Sequence, residues 1–197
     1  MRGLIAKAMP LPILLGSAPA FAHVNTGPVG GLVSGFEHPF LGPDHLLAMV
    51  AVGIWGAFLG RPLVWLLPIV FPMMMAVGAV LGIFGVPMLP TEEGIAFSMI
   101  VLGGAIALAL RAPAWVAVGL ISFFALFHGY AHGVELPFAL NPQPYIIGFV
   151  TATGLLHVTG IVLGLLRERR GGAAALRGMG GMIGLTGFAF LLKLVST

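Results

Sequence analysis

The sequence predicts an all-α integral membrane protein, a six-helix transmembrane bundle with a short N-terminal half-helix after a cleaved signal peptide. Three observations carry that expectation. Of 197 residues, 59% are hydrophobic and only 8% charged, with a mean hydropathy of +1.09, whereas a soluble domain carries about 25% charged residues. The six acidic and nine basic residues lie between apolar runs, as loops between spans require. Those runs are also long enough, since a transmembrane helix needs about 20 mostly apolar residues, with a range near 17–25.

At the N-terminus, Arg2 and Lys7 precede a short apolar region, Met9–Leu15, and Ala20-Phe21-Ala22 fits a small-residue cleavage site. Residues 1–22 therefore read as a signal peptide, despite prolines at positions 10 and 12, and residues 23–197 as a single transmembrane domain. Cleavage would leave His23 as the new N-terminus, where its α-amine and ring nitrogen could chelate a metal or simply form a polar end. Residues 27–37 are apolar and glycine-rich but too short to cross, which predicts a half-helix that dips in and ends at His38. Six spans follow, at about 44–60, 63–87, 94–110, 113–132, 144–166 and 175–195.

Orientation follows from the basic residues. With the mature N-terminus outside, Arg61, Arg111, the Arg167-Glu168-Arg169-Arg170 cluster and Arg177 all face the cytoplasm, as the positive-inside rule demands. Glu92, Glu93 and Glu135 then face outward, and Lys193 snorkels at the outer interface. The expected location is the inner membrane of a bacterium, multi-pass, with a periplasmic N-terminus. A sequence pI near 10.0 is explained by these loop arginines, so no nucleic-acid partner is expected. Glycines spaced by four (Gly27/Gly31/Gly35, Gly78/Gly82, Gly160/Gly164, Gly180/Gly184) predict faces where helices approach closely. No internal repeat or long linker divides the chain.

Chemistry-bearing residues gather in two stretches. In the first, His38 and the pair Asp44-His45 flank Pro39, Gly42 and Pro43, which disfavour a continuous helix and let His38 fold back. Asp44 also stands where a helix N-cap belongs. The carbonyl end of the preceding half-helix would favour a cation there. In the second stretch, His128 and His132 are four residues apart on one helix face, and Glu135 follows a turn later. The predicted topology brings both stretches, and Glu93, to the outer face. Ionisable groups inside a membrane usually mark an ion or substrate path.

Imidazole nitrogen and carboxylate oxygen suit divalent nickel, cobalt, zinc or copper, and the chain has no cysteine to favour the softest ions. Met73–Met75 fit apolar filler better than copper thioether ligands. His157 lies roughly 20 Å along the fifth span. It reads either as an inner relay ligand, with Thr151, Thr153 and Thr159 lining the path, or as a structural histidine held by a carbonyl.

The segments HPFLGPDHLLAM followed by VAVG, FHGYAHGVE and ATGLLHVTG resemble those of the HupE/UreJ family of nickel/cobalt permeases, over nearly the whole mature chain. The resemblance implies a small permease that imports nickel, or in some members cobalt, for metalloenzymes such as hydrogenase and urease. It carries the important positions onto His38, Asp44, His45, His128, His132 and Glu135. In TEEGIAFS it favours Glu93, with Glu92 beside it. It implies no prosthetic group, the metal being cargo, and a supply route to hydrogenase or urease maturation. A homo-oligomer is compatible with it. One alternative is a zinc-dependent intramembrane hydrolase with Glu135 or Asp44 as general base. Another is a haem-anchoring subunit, which the crowding of histidines with acids disfavours.

Overall fold

The computed structural model describes residues 28–135 and 142–196, and the expected signal peptide and His23 lie outside them. Seven α-helices account for nearly all of the described chain, and no strand occurs among the described residues. They are α1 (Pro28–Leu41), α2 (Pro43–Leu59), α3 (Leu63–Ile83), α4 (Thr91–Ala107), α5 (Ala114–Glu135), α6 (Pro142–Leu165) and α7 (Gly172–Val195). Among the described residues, four helices (α3, α5, α6 and α7) are long and apolar enough to cross a membrane, and α1 with α2 pass the same test only together, as a pair bent by 81° that is either a broken span or a re-entrant loop. α4 has 17 residues, about 26 Å at 1.5 Å per residue, and stands at the short limit of a span.

The punctuation is local. Gly42, extended at φ −96° and ψ 108°, separates α1 from α2, because the following Pro43 disfavours a helical conformation in the residue before it. Gly60 at φ +79° ends α2, and its left-handed backbone suits glycine.

Two expectations change here. α1 does not stop at His38 but continues through Pro39 to Leu41. Pro39 removes only one hydrogen bond, to the Gly35 carbonyl, and so close to the helix end that loss is tolerated. Asp44 is not the N-cap of α2; Gly42 holds that position, and Asp44 lies inside the first turn.

α2 is the hub. Its residues from Ala48 to Ala57 are all buried, the pattern of a helix surrounded on every side. It packs on α3, α4 and α6, while α3 pairs with α5, α4 with α7, and α1 with α6. Apart from Gly27, which lies outside the described residues, the predicted glycine faces are these seams. A Cβ at Gly78 or Gly82 would strike α5 at the carbonyls of Leu126 and Tyr130, and one at Gly129 or Gly133 would strike α3 at those of Met75 and Ala79. Gly160 meets α2 at Val50, Gly35 meets α6 at Tyr145, and Gly180 meets α4 at Gly103. On α3, Trp65, Ile69, Met73, Val77 and Val80 are exposed and form the opposite stripe, as a lipid-facing surface would.

The two ends of the bundle differ in charge. At one end, Arg111, Arg167 and Arg177 line a cavity of about 120 Å³ together with Phe58. Arg167 donates to the Phe58 carbonyl at 2.9 Å and Arg177 to the Ala107 carbonyl at 2.7 Å, satisfying carbonyls in the last turns of α2 and α4. The starts of α2, α4 and α6 and the ends of α1, α3 and α5 meet at the other end, where the histidines lie.

Candidate metal site

α1, α2 and α5 bring four histidines into one cluster. The ring centroid of His132 lies 4.8 Å from that of His38 and 4.7 Å from that of His45. His45 lies 5.3 Å from His128 and 6.3 Å from His38. The break at Gly42 is what allows His38 to fold back onto His45. The four-residue spacing on α5 keeps His128 and His132 on the face that both of them meet.

Exposure falls with depth. The Glu135 side chain is 60% exposed and that of His38 31%, whereas His132 is 6% exposed and His128 fully buried. Glu135 Oε2 lies 3.8 Å from His38 Nε2 at the mouth. One donor atom each from His38, His132 and Glu135 fall within 4.8 Å of one another. Two donors 2.1 Å from one ion stand at most about 4.2 Å apart, so side-chain shifts of under about 1 Å would close this set on a metal.

Hydrogen bonds set the ring nitrogens. Asp44 Oδ1 lies 3.0 Å from His45 Nδ1 and also accepts the His45 backbone N–H at 2.9 Å. The Phe124 carbonyl stands 3.0 Å from His128 Nδ1. A carboxylate or carbonyl oxygen can only accept, so in both rings Nδ1 carries the proton and Nε2 keeps its lone pair. Those Nε2 atoms, and both nitrogens of His132, are buried without a hydrogen-bond partner. Buried polar atoms are ordinarily satisfied, so these unpartnered imidazole nitrogens are candidate donors to a cation.

The wall around the cluster is aromatic. Phe149 lies 4.5 Å from His132, centroid to centroid, and Tyr145 lies 5.9 Å from His38. An apolar groove of about 210 Å³ between α3, α5 and α6 reaches His132 from the side.

Of the two neighbouring glutamates, Glu92 interacts electrostatically with Asp44, His45 and Glu135. It sits in the first turn of α4, ahead of the apolar stretch, where partial desolvation and the Asp44 carboxylate raise its carboxyl above the ordinary range. His157 lies deeper, 1% exposed, and does not join the cluster.

Sequence reasoning missed Phe71, Tyr145 and Phe149. Tyr145 and Phe149 have the same four-residue spacing that marked the histidines, and that signal could have placed them on the inward face of α6.

Membrane-length helices, arginines at one end and a buried imidazole–carboxylate cluster at the other define a multi-pass membrane protein with a candidate cation site. A family model described as HupE / UreJ protein matches residues 11–190, and the chain belongs to that family. Protein HupE of Rhizobium leguminosarum bv. viciae is 43% identical over 175 residues, which cover 88% of this chain and 92% of that protein. No solved structure matches the chain.

Proposed function

We propose that the protein is a permease that admits nickel, or cobalt, from the periplasm to the cytoplasm through the histidine–carboxylate cluster at its outer face. One observation carries this reading most: unpartnered ring nitrogens of His45, His128 and His132 are buried together beneath the Glu135 mouth. Membership of the HupE/UreJ family supports the choice of cargo. The arginine-bearing loops at the opposite end support a periplasmic mouth, by the positive-inside rule.

The sequence of events follows from the exposure gradient. Glu135 and His38 meet the hydrated ion first, and their donors replace part of its water. His132 and His45 take it below the surface, and His128 stands at the buried end. Asp44 acts through His45, holding the ring so that Nε2 faces the ion, as carboxylate–histidine pairs do at metal sites. Glu92 adds negative charge to the entrance and draws cations toward it.

No nucleotide site is required. A potential of 100 mV, negative inside, contributes about 2.3 kcal/mol per elementary charge, hence about 4.6 kcal/mol for a divalent ion. At 1.4 kcal/mol per tenfold, that sustains roughly thousand-fold accumulation. Protonated imidazole cannot ligate, so capture weakens as pH falls towards about 6. Metal delivered to the cytoplasm would supply the maturation of enzymes such as hydrogenase or urease.

The test is uptake of radiolabelled nickel by cells expressing His38→Ala or His132→Ala at wild-type levels in the membrane. The expected result is loss of uptake to the background of cells without the protein. Wild-type uptake by both variants sinks the proposal.

A further inference from the structure

Below the histidine cluster, α6 carries two buried polar side chains without a well-aligned hydrogen bond. Thr153 is 0% exposed and His157 1%, and their four-residue spacing puts them on one helix face. Neither the Thr153 hydroxyl nor either His157 nitrogen has a hydrogen-bond partner. Neighbouring hydroxyls behave differently. Thr151, Thr159 and Thr186 each donate to the carbonyl four residues back, at 2.7, 2.8 and 2.9 Å. That bond is the ordinary resting place of a hydroxyl in a membrane helix, and Thr153 does not take it.

A third polar group approaches His157. Pro72 lies inside α3 and has no N–H, so the Pro68 carbonyl lacks its partner one turn on. That carbonyl comes up to His157, without the geometry of a hydrogen bond. Carbonyls released by interruptions in membrane helices are a recurring source of cation ligands. The three groups are distinct from the outer cluster. The Phe71 ring touches both His128 and His157, with centroids 5.4 Å from each. His157 lies about 22 Å along α6 from Pro142, past the midpoint of a hydrocarbon core about 30 Å thick.

We propose that His157, Thr153 and the Pro68 carbonyl form a second, interior cation station, which receives a divalent nickel or cobalt ion from the outer cluster past Phe71. The proposal rests on the permease reading above. Its donors are all neutral, whereas the outer cluster includes carboxylates. The interior station therefore holds the ion more weakly, as conduction through successive sites requires. One imidazole nitrogen among oxygen donors still favours nickel or cobalt over calcium or magnesium.

The test is equilibrium dialysis of the purified full chain against radiolabelled nickel, with uptake measured on the same proteins in liposomes. Wild type is expected to bind two ions per chain, one tight and one weak. His157→Ala should keep the tight ion with an unchanged isotherm, lose the weak one, and lose uptake. Thr153→Val, nearly isosteric, should weaken the weak ion by about tenfold or more and serves as the readout if His157→Ala does not fold. His132→Ala should lose the tight ion and keep the weak one. A weak ion retained at wild-type strength in His157→Ala, or in Thr153→Val when that variant is the readout, overturns the interior station. So does a wild type that binds one ion, lost in His132→Ala, and that result leaves the permease reading standing. A wild type that binds no nickel overturns both.

Discussion

His45 holds its Nδ1 3.0 Å from Asp44 Oδ1, and that contact decides which nitrogen of the ring remains open to a cation. The carboxylate accepts the hydrogen bond of Nδ1–H, so the ring proton stays on Nδ1 and the buried, unpartnered Nε2 keeps its lone pair. His128 reaches the same state with a backbone carbonyl, that of Phe124. Two rings from different helices are thus preset in the same tautomer before any ion arrives.

The Asp44 contact is open to direct test. Asp44→Asn keeps the shape but offers an amide that can donate to Nδ1, which would move the ring proton to Nε2. Nickel affinity should fall by about 10–100-fold, the usual cost of losing an orienting carboxylate. A binding isotherm on purified protein measures it, with helical content checked by circular dichroism. An affinity equal to wild type would remove Asp44 from the site.

Glu92 predicts a pH-dependent effect of known sign. Its folded-state carboxyl value lies above the ordinary 4.5, so ionisation opposes folding at any pH above both values, and the penalty disappears below the unfolded one. Glu92→Gln should therefore raise the melting temperature of the metal-free protein at pH 7 and change it little near pH 4. The same substitution should reduce the stabilisation that added nickel provides, because a bound cation favours the ionised form. A lower melting temperature at pH 7 would contradict this account.

The helix seams predict opposite outcomes for two glycines. Gly129→Ala puts a Cβ onto the Met75 backbone of α3, and overpacking of this kind costs about 1–3 kcal/mol. Nothing lies within 4 Å of a Cβ at Gly154, so Gly154→Ala should gain about 0.5–1 kcal/mol from the lower helix cost of alanine. Thermal unfolding in detergent distinguishes the pair.

Reporter fusions test the orientation. A periplasm-active reporter fused after Leu89 should be active, and one fused after Arg111 inactive. The reverse pattern would put the histidine cluster in the cytoplasm and turn the proposed direction around.

The helices were legible because hydrophobic length is a one-dimensional property. Apolar runs bounded by Pro62, Pro90 and Gly171 place α3, α4 and α7 to within a few residues of their ends. The half-helix was less so. A proline reads as a stop in sequence, yet near the end of α1 Pro39 deprives the helix of one bond and no more. The candidate ligand stretches were visible as histidines and acids at helical spacing. How Glu92 and Glu93 sit relative to Asp44 depends on the rotation of α4 against α2, and no spacing rule supplies that rotation. The Pro68 carbonyl was half legible. A proline four residues ahead frees it, but only packing decides that His157 faces it.

By itself, then, the sequence determined that this chain lives in a membrane, which end carries the arginines, and which side chains could hold a divalent metal. Those properties follow from composition and from the helical period, which act within single segments. Tertiary structure alone decided that His38, His45, His128 and His132 share one cluster, that Asp44 acts on His45, and that Thr153 and His157 are left unpaired below it. The physical reason is the glycine seams. They let backbones touch at α3–α5, α2–α6 and α1–α6, and the resulting register, which no single helix encodes, sets which polar atoms meet and which are left without partners.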